Sequence, residues 1–250
     1  MFLSNLELNT KNTKVSNWMR NPYRIHQRLW MGFESSKKES TKPEFIFRVE
    51  DNFLEDGIPK PRILVLSYTT PSWVDAFQET GFLLNQPKII NLNIDSFIQK
   101  DKSFRFSLKA NPSRKKKDFQ GYFKEKLEDL AEGKKETKLK SLIDSLSKEE
   151  WKRVPSKRVG IYSDLEQIKW IESKGKGSGF VLENLYFDKG EFVSGINKRD
   201  SENSKNINYF IVQFSGILRV VDADAFKHAF QHGIGSGKAF GCGMLMIGRI

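Results

Sequence analysis

The chain has 250 residues, with 42 Lys+Arg against 31 Asp+Glu, a formal net charge of +11, and 38% hydrophobic residues; it can hold one large domain or two small ones with buried cores. The positive excess favours a polyanionic partner, nucleic acid or an anionic membrane surface, yet no apolar stretch approaches the roughly 18 residues needed to span a bilayer, and the opening MFLSNL lacks the basic segment and long apolar core of a secretory leader. A single cysteine, Cys242, excludes internal disulfides and any cysteine-based zinc site, which fits a reducing cytoplasm.

Residues 2–8 are short and apolar enough for a strand, and Asn21-Pro22 predicts the start of a helix through about residue 35, with Asn as N-cap and Pro at the first helical position. Strands are predicted over 45–50, where Phe45, Phe47 and Val49 alternate with Ile46, Arg48 and Glu50, and over 63–68, which begins with a continuous apolar run. A short helix over 72–78 and a closing strand over 81–84 or 89–92 complete the order β-α-β-β-α-β, which is ferredoxin-like. The second half repeats the pattern, with a strand over 104–108, a helix over 164–172, strands over 180–187 and 209–214, a helix over 223–231 and a terminal strand over 244–250. Asp222 is placed to cap the last helix and Gly233 to stop it.

The expected fold is α+β: two tandem ferredoxin-like (RRM-like) βαββαβ domains, residues 1–95 and 96–250, alike in pattern without a visible sequence repeat. A lysine-rich insertion near 111–160 interrupts the second domain, with basic runs at 114–117 and 133–135 flanking helical stretches around 122–130 and 139–146. Such a run is a solvated helical face or, because it adjoins Lys157 and Arg158, a surface that meets RNA.

Two segments carry chemistry. The glycine-rich loop 233–243, with Gly233, Gly235, Gly237 and Lys238, lets a phosphate approach the backbone closely and adds a mobile cation. Its spacing is neither that of a P-loop nor that of a dinucleotide fingerprint, because an apolar strand follows where those motifs need a helix. A tight connection into a terminal strand is the other reading of this loop. On the first helix, Tyr23 and His26 are three apart and share a face, while Arg24 and Arg28 lie on the opposite side. Histidine suits RNA scission because its ordinary pKa of about 6.5 lets it give or take a proton near neutrality; alternatively the ring borders the core beside Ile25, Leu29, Trp30 and Phe33. His228 and His232 share a helix face but have no third ligand at a metal spacing, so no metal and no cofactor is expected. Cys242 has no histidine near it in sequence and is not expected to be a nucleophile.

Leu3-Ser-Asn-Leu6, Asn21-Pro-Tyr-Arg-Ile-His26, Phe47-Arg-Val-Glu50, Leu108-Lys-Ala-Asn-Pro112, Lys157-Arg-Val159, Phe214-Ser-Gly-Ile-Leu-Arg-Val-Val-Asp222 and the glycine-rich tail together resemble the CasE family, the CRISPR repeat endoribonucleases of the type I-E Cascade complex. The resemblance runs along nearly the whole chain and departs at 113–155, where this sequence is longer than compact members. It implies two ferredoxin-like domains that bind the repeat stem-loop and cut precursor CRISPR RNA at the base of the stem. It also implies a metal-independent cut, in which the 2′-hydroxyl attacks the adjacent phosphate, and an enzyme that keeps its product as a Cascade subunit in cytoplasmic antiviral defence. Carried onto this chain, the catalytic pair falls on His26 and Tyr23, and a basic contribution on Lys157 or Arg158. A stem-engaging hairpin falls on 193–208, with Lys198, Arg199 and Lys205, and Gly195 and 200–205 read as its tip. The competing reading is a non-catalytic RNA-binding scaffold subunit of a ribonucleoprotein, which has no need of the Tyr23–His26 pair.

Overall fold

The structure, a computed structural model, describes residues 1–33, 45–50, 60–79, 81–197 and 205–250, with backbone alone for 194–197 and 205–207. Two compact units divide them: 1–112 together with 162–250, and 113–161.

The first unit begins with β1 (Phe2–Glu7), α1 (Thr13–Arg20), α2 (Pro22–Trp30), β2 (Phe45–Glu50), β3 (Arg62–Ser67), α3 (Trp73–Ala76) and β4 (Lys88–Asn91). Its strands form an antiparallel sheet in the order β2-β3-β1-β4, the arrangement of a ferredoxin-like βαββαβ unit. Asn12 caps α1 by accepting from Lys14 N, and Asn21 caps α2 by accepting from Tyr23 N, so the two helices meet at a short corner. Val15 and Trp18 of α1 and Ile25 and Leu29 of α2 are buried with Leu6, Ile63, Val65, Phe45 and Phe47 of the sheet. Sequence reading missed α1 and ran α2 on to residue 35, whereas α2 ends at Trp30, one residue before its C-cap Met31. The closing strand is the later of the two segments considered.

After α4 (Ile94–Phe97) comes β5 (Ser103–Ala110), and in the second unit β6 (Ser113–Lys117), α5 (Phe119–Tyr122), α6 (Lys124–Leu127), α7 (Glu132–Asp144), α8 (Lys148–Arg153) and β7 (Ser156–Gly160). The first unit resumes with α9 (Asp164–Gly177), β8 (Phe180–Phe187), β9 (Glu191–Asn197), β10 (Lys205–Val220), α10 (Ala223–His232) and β11 (Leu245–Gly248). The second sheet has the order β11-β5-β10-β8, again antiparallel and again ferredoxin-like, with β9 pairing along the first part of β10. At its helix face Phe226 stacks on Phe104 and meets Phe180 edge to face, and Trp170 stacks on Phe214. Gly195 is a correction: it pairs with Ile207 inside the β9–β10 ladder instead of marking the hairpin tip, and Lys198, Arg199 and most of 200–205 lie outside the described residues.

In β2 the expected in–out alternation is replaced by burial of Phe45, Ile46, Phe47 and Arg48 in succession. One face covers the α2 core, and the other meets the second sheet, where Arg48 Nη2 donates to Gln213 Oε1 at 3.1 Å and Lys109 Nζ donates to Val49 O at 3.0 Å. The unit 113–161 is built on a β6–β7 ribbon and four helices, of which α8 starts with a Ser147–Glu150 capping box. Among the described residues no helix is long and apolar enough to cross a membrane.

Candidate active site

Helix α2 puts Tyr23 and His26 on one face, with ring centroids 6.0 Å apart. His26 lies in an aromatic bed of Trp30, Phe45 and Phe47, at 5.6, 5.3 and 6.1 Å. Its Nδ1 is buried without a hydrogen-bond partner, which leaves Nε2 as the nitrogen through which the ring can exchange a proton. Burial alone pushes the pKa down from 6.5 to about 4, because nothing charged nearby repays desolvation of the imidazolium. The ring is therefore neutral at pH 7.

The glycine-rich loop closes over this face. Phe240 lies 5.7 Å from Tyr23 and 4.3 Å from Tyr209 of β10, and a Cβ on Gly241 would stand 3.2 Å from Phe47. Gly243 shows why glycine is required here: at φ +90° its Cβ would meet Ile234 O at 2.7 Å, while Ile234 N donates to Gly243 O at 2.8 Å and Gly243 N to Lys109 O at 2.7 Å. The loop is not an open row of donors, since the N–H groups of Gly233, Ile234, Phe240, Gly241, Cys242 and Gly243 are bonded within the fold. Those of Gly235, Gly237, Lys238 and Ala239 have no backbone partner among the described residues. Lys238 begins a single 3₁₀ turn, 238–240, and is half-buried; burial lowers its pKa, and it has no ion-pair partner among the described residues. Cys242 is buried and its thiol pushed up to about 12, so it is inert as a nucleophile.

The other sequence-predicted residues divide. Arg24 is exposed on α2. Arg28 instead serves the N-terminal core: its guanidinium lies 5.2 Å from the Trp18 ring and 5.0 Å from Phe82, and Nη1 donates to Ala76 O at 3.1 Å. Lys157 and Arg158 are on β7 in the second unit, where Lys157 pairs with Asp118 at 2.8 Å and Arg158 Nη1 donates to Ser113 Oγ at 3.2 Å. Lys205 opens β10 opposite Asn197. His232 Nδ1 lies 2.9 Å from His228 O and Nε2 lies 2.8 Å from Tyr68 OH, so a neutral ring donates at Nδ1 and accepts the phenol proton at Nε2. Among the described residues no three His, Cys, Asp or Glu side chains converge.

Sequence reasoning missed Phe240, which joins the loop to Tyr23 of α2, Tyr209 of β10, which packs on Phe240, and Arg48. The Arg48 Nε lies 3.2 Å from Glu50 Oε1 but off the hydrogen-bonding direction, leaving Nε and Nη1 without hydrogen bonds beneath the site. An arginine flanked by the apolar run Phe45–Phe47 and by Val49 was the available signal.

Two curated relatives align along the chain. CRISPR-associated endoribonuclease Cse3 of Thermus thermophilus is 24% identical over 256 residues, 99% of each chain. The CRISPR system Cascade subunit CasE of Escherichia coli is 25% identical over 238 residues, 92% of this chain and 93% of that one. A solved structure of Cse3 bound to 19-nucleotide RNA superposes with a TM-score of 0.69 at 23% identity, covering 99% of this chain and 100% of the other, so the two-domain ferredoxin-like fold is shared. Residues 1–249 match the family described as CRISPR associated protein, and the chain belongs to that family.

Proposed function

We propose that the protein is an endoribonuclease that cuts precursor CRISPR RNA at the base of the repeat stem-loop without a metal ion, then stays on the product as a Cascade subunit in the cytoplasm. The observation that carries the reading is the neutral His26, paired with Tyr23 and facing a glycine loop that bears Lys238. A neutral imidazole can take the proton of a ribose 2′-hydroxyl. The 2′-oxygen then bonds to the adjacent phosphorus, the bond to the 5′-oxygen breaks, and that oxygen takes a proton from the imidazolium or from solvent. The products are a 2′,3′-cyclic phosphate and a 5′-hydroxyl. Tyr23 is suited to orient the ribose or phosphate, and Lys238 to offset charge on the phosphorane. The names of the relatives, an endoribonuclease and a Cascade subunit, support the same reading.

In this reading the domains are 1–95, which carries the catalytic helix, and 96–250; the strands of the two sheets fall on either side of that division. Arg24, Gly235, Gly237 and Lys238 form the RNA side of the first unit, and Lys198, Arg199 and Lys205 engage the stem. A-form stems hide their base edges in a deep, narrow major groove, so phosphate contacts and shape dominate recognition, and the basic balance of the chain suits it.

The test is cleavage of the organism's CRISPR repeat RNA in EDTA by the intact chain and by His26→Ala, on all-ribose RNA and on RNA with a 2′-deoxy sugar at the cut. Cutting by the intact chain alone, on ribose alone, is the expected outcome. Tight binding with no cutting by either protein would replace the enzyme with a scaffold.

A further inference from the structure

We propose that residues 113–161 carry a second phosphodiester-binding site, the ribbon of β6 and β7, whose ligand is the backbone of the RNA the protein processes; the identity of that ligand rests on the function proposed above. The pairing register sets Lys115 directly opposite Arg158 and Lys116 directly opposite Lys157. Like charges at opposed positions of antiparallel strands repel, and lysine is in any case depleted in strands. Two such rungs in succession make a poor ribbon on its own and a good one around an anion.

The cations of this ribbon are unequally satisfied within the unit. Lys117 Nζ donates to Val154 O and Lys152 O at 2.7 and 3.2 Å, Lys157 pairs with Asp118, and Arg158 reaches Ser113. Lys115 and Lys116 are exposed and have no partner among the described residues. Successive side chains point to opposite faces, so Lys115 with Arg158 makes one basic face and Lys116 with Lys157 the other. Same-face positions repeat at about 7 Å along a strand, the order of the spacing between successive phosphates of a nucleic-acid chain. Residues 113–161 hold 15 Lys+Arg against 9 Asp+Glu, and no acidic residue occurs in 113–117 or 151–161, so the ribbon strands concentrate the excess. The two Lys117 hydrogen bonds also tie β6 to the end of α8, which carries Trp151, exposed and 4.8 Å from the Phe119 ring. Basic backbone contacts beside an open aromatic ring are the combination that holds single-stranded nucleic acid. The ribbon has no large apolar side chain beyond Val159 to enter a bilayer, which favours a phosphodiester chain over lipid headgroups.

The test uses the full chain and a repeat RNA with a 2′-deoxy sugar at the cut, with affinity measured across a salt series. For Lys115→Gln/Lys116→Gln the slope of log K against log salt should fall by between about 1.4 and 1.8, the loss of two phosphate contacts, with affinity at least about tenfold weaker. The free variant should melt no lower than the parent, since both like-charge rungs have been relieved. The same loss of charge on α7, Lys138→Gln/Lys140→Gln, should leave the slope unchanged. An unchanged slope in the ribbon variant, an equal fall in the α7 control, or a loss of binding to anionic vesicles in place of RNA would overturn the proposal. Cleavage by the unsubstituted chain keeps the two readings apart: cutting with an unchanged ribbon slope removes the ribbon alone, and binding without cutting removes the nuclease while the ribbon slope is still read.

Discussion

Replacing His26 by Phe should change how stability depends on pH as well as abolish cleavage. The ring stands among Trp30, Phe45 and Phe47, so Phe keeps an aromatic in the same bed and removes only the ionisation. Burial lowers the His26 pKa from 6.5 to about 4. Above 6.5 the ring is neutral in both folded and unfolded chains and contributes no pH dependence. Between 6.5 and about 4 the unfolded chain binds a proton that the folded chain does not, so stability falls as pH falls. Below about 4 both states are protonated and the loss is complete. At about 1.4 kcal/mol per pH unit the whole effect is up to roughly 3 kcal/mol. The assay is urea unfolding of the parent and of His26→Phe at a series of pH values across that window. Carboxylates titrate alike in both proteins and cancel in the difference, so the parent should lose up to about 1.4 kcal/mol more per pH unit than the variant. Parallel curves would refute the reasoning, because they would mean that the imidazolium is as well solvated in the fold as in the unfolded chain.

Other substitutions separate structure from binding. Arg28→Ala should cost about 1–2 kcal/mol in urea unfolding, through its stacking on Trp18 and Phe82 and its hydrogen bond to Ala76, and leave the salt slope of RNA binding unchanged. Arg24→Ala should do the reverse, sparing stability and lowering the slope by about 1. Lys238→Met keeps the stem that is half-buried beside the loop and removes the charge; single-turnover cleavage should fall roughly a hundredfold with an unchanged melting temperature. Gly237→Ala, at φ +82° with its Cβ in ordinary contact, should cost about 1–2 kcal/mol. Gly243→Ala should cost more, since its Cβ also runs into Ile234 O, and comparison of the two urea midpoints checks the order.

Both ferredoxin-like orders were legible because each strand and helix carries its own local signal: Asn21-Pro22 opens α2, Asp222 accepts from Asp224 N and Ala225 N to open α10, and Gly233 ends α10 at φ +76°. What escaped was decided by distant partners. The burial of Arg48 depends on Gln213 of the second sheet, 165 residues away, so an alternating strand is covered on both faces. The ribbon β6–β7 pairs Ser113–Lys117 with Ser156–Gly160 across a helical excursion, and neither strand has an apolar alternation to reveal it. The candidate site was half legible. Tyr23 and His26 share a face by helical spacing alone, but the docking of Phe240 on Tyr23 joins residues at opposite ends of the chain. The contacts of Arg28 with Trp18 and Phe82 were not legible, because helical spacing places Arg28 on a face without showing what lies beneath it.

Two basic groups of the site, His26 and Lys238, share a physical condition that predicts how RNA and protons interact. Burial lowers the pKa of both His26 and Lys238, and no charged neighbour contributes to either. Each positive form is therefore held at a cost in the free protein that a phosphate would offset, since an anion placed beside a buried cation favours the charged form. Bound RNA should raise the His26 pKa from about 4 towards its ordinary value, so that the complex holds more protons than its separated parts between about 4 and 6.5. By linkage, affinity for a 2′-deoxy, uncleavable repeat should rise as pH falls through that window, and calorimetry in two buffers of different ionisation enthalpy should record proton uptake on binding. His26→Ala should bind the same RNA with the uptake reduced. An uptake equal in the variant would assign the proton to other groups and leave His26 uncoupled from the phosphate; a parent with no uptake at all would mean that no phosphate approaches the ring.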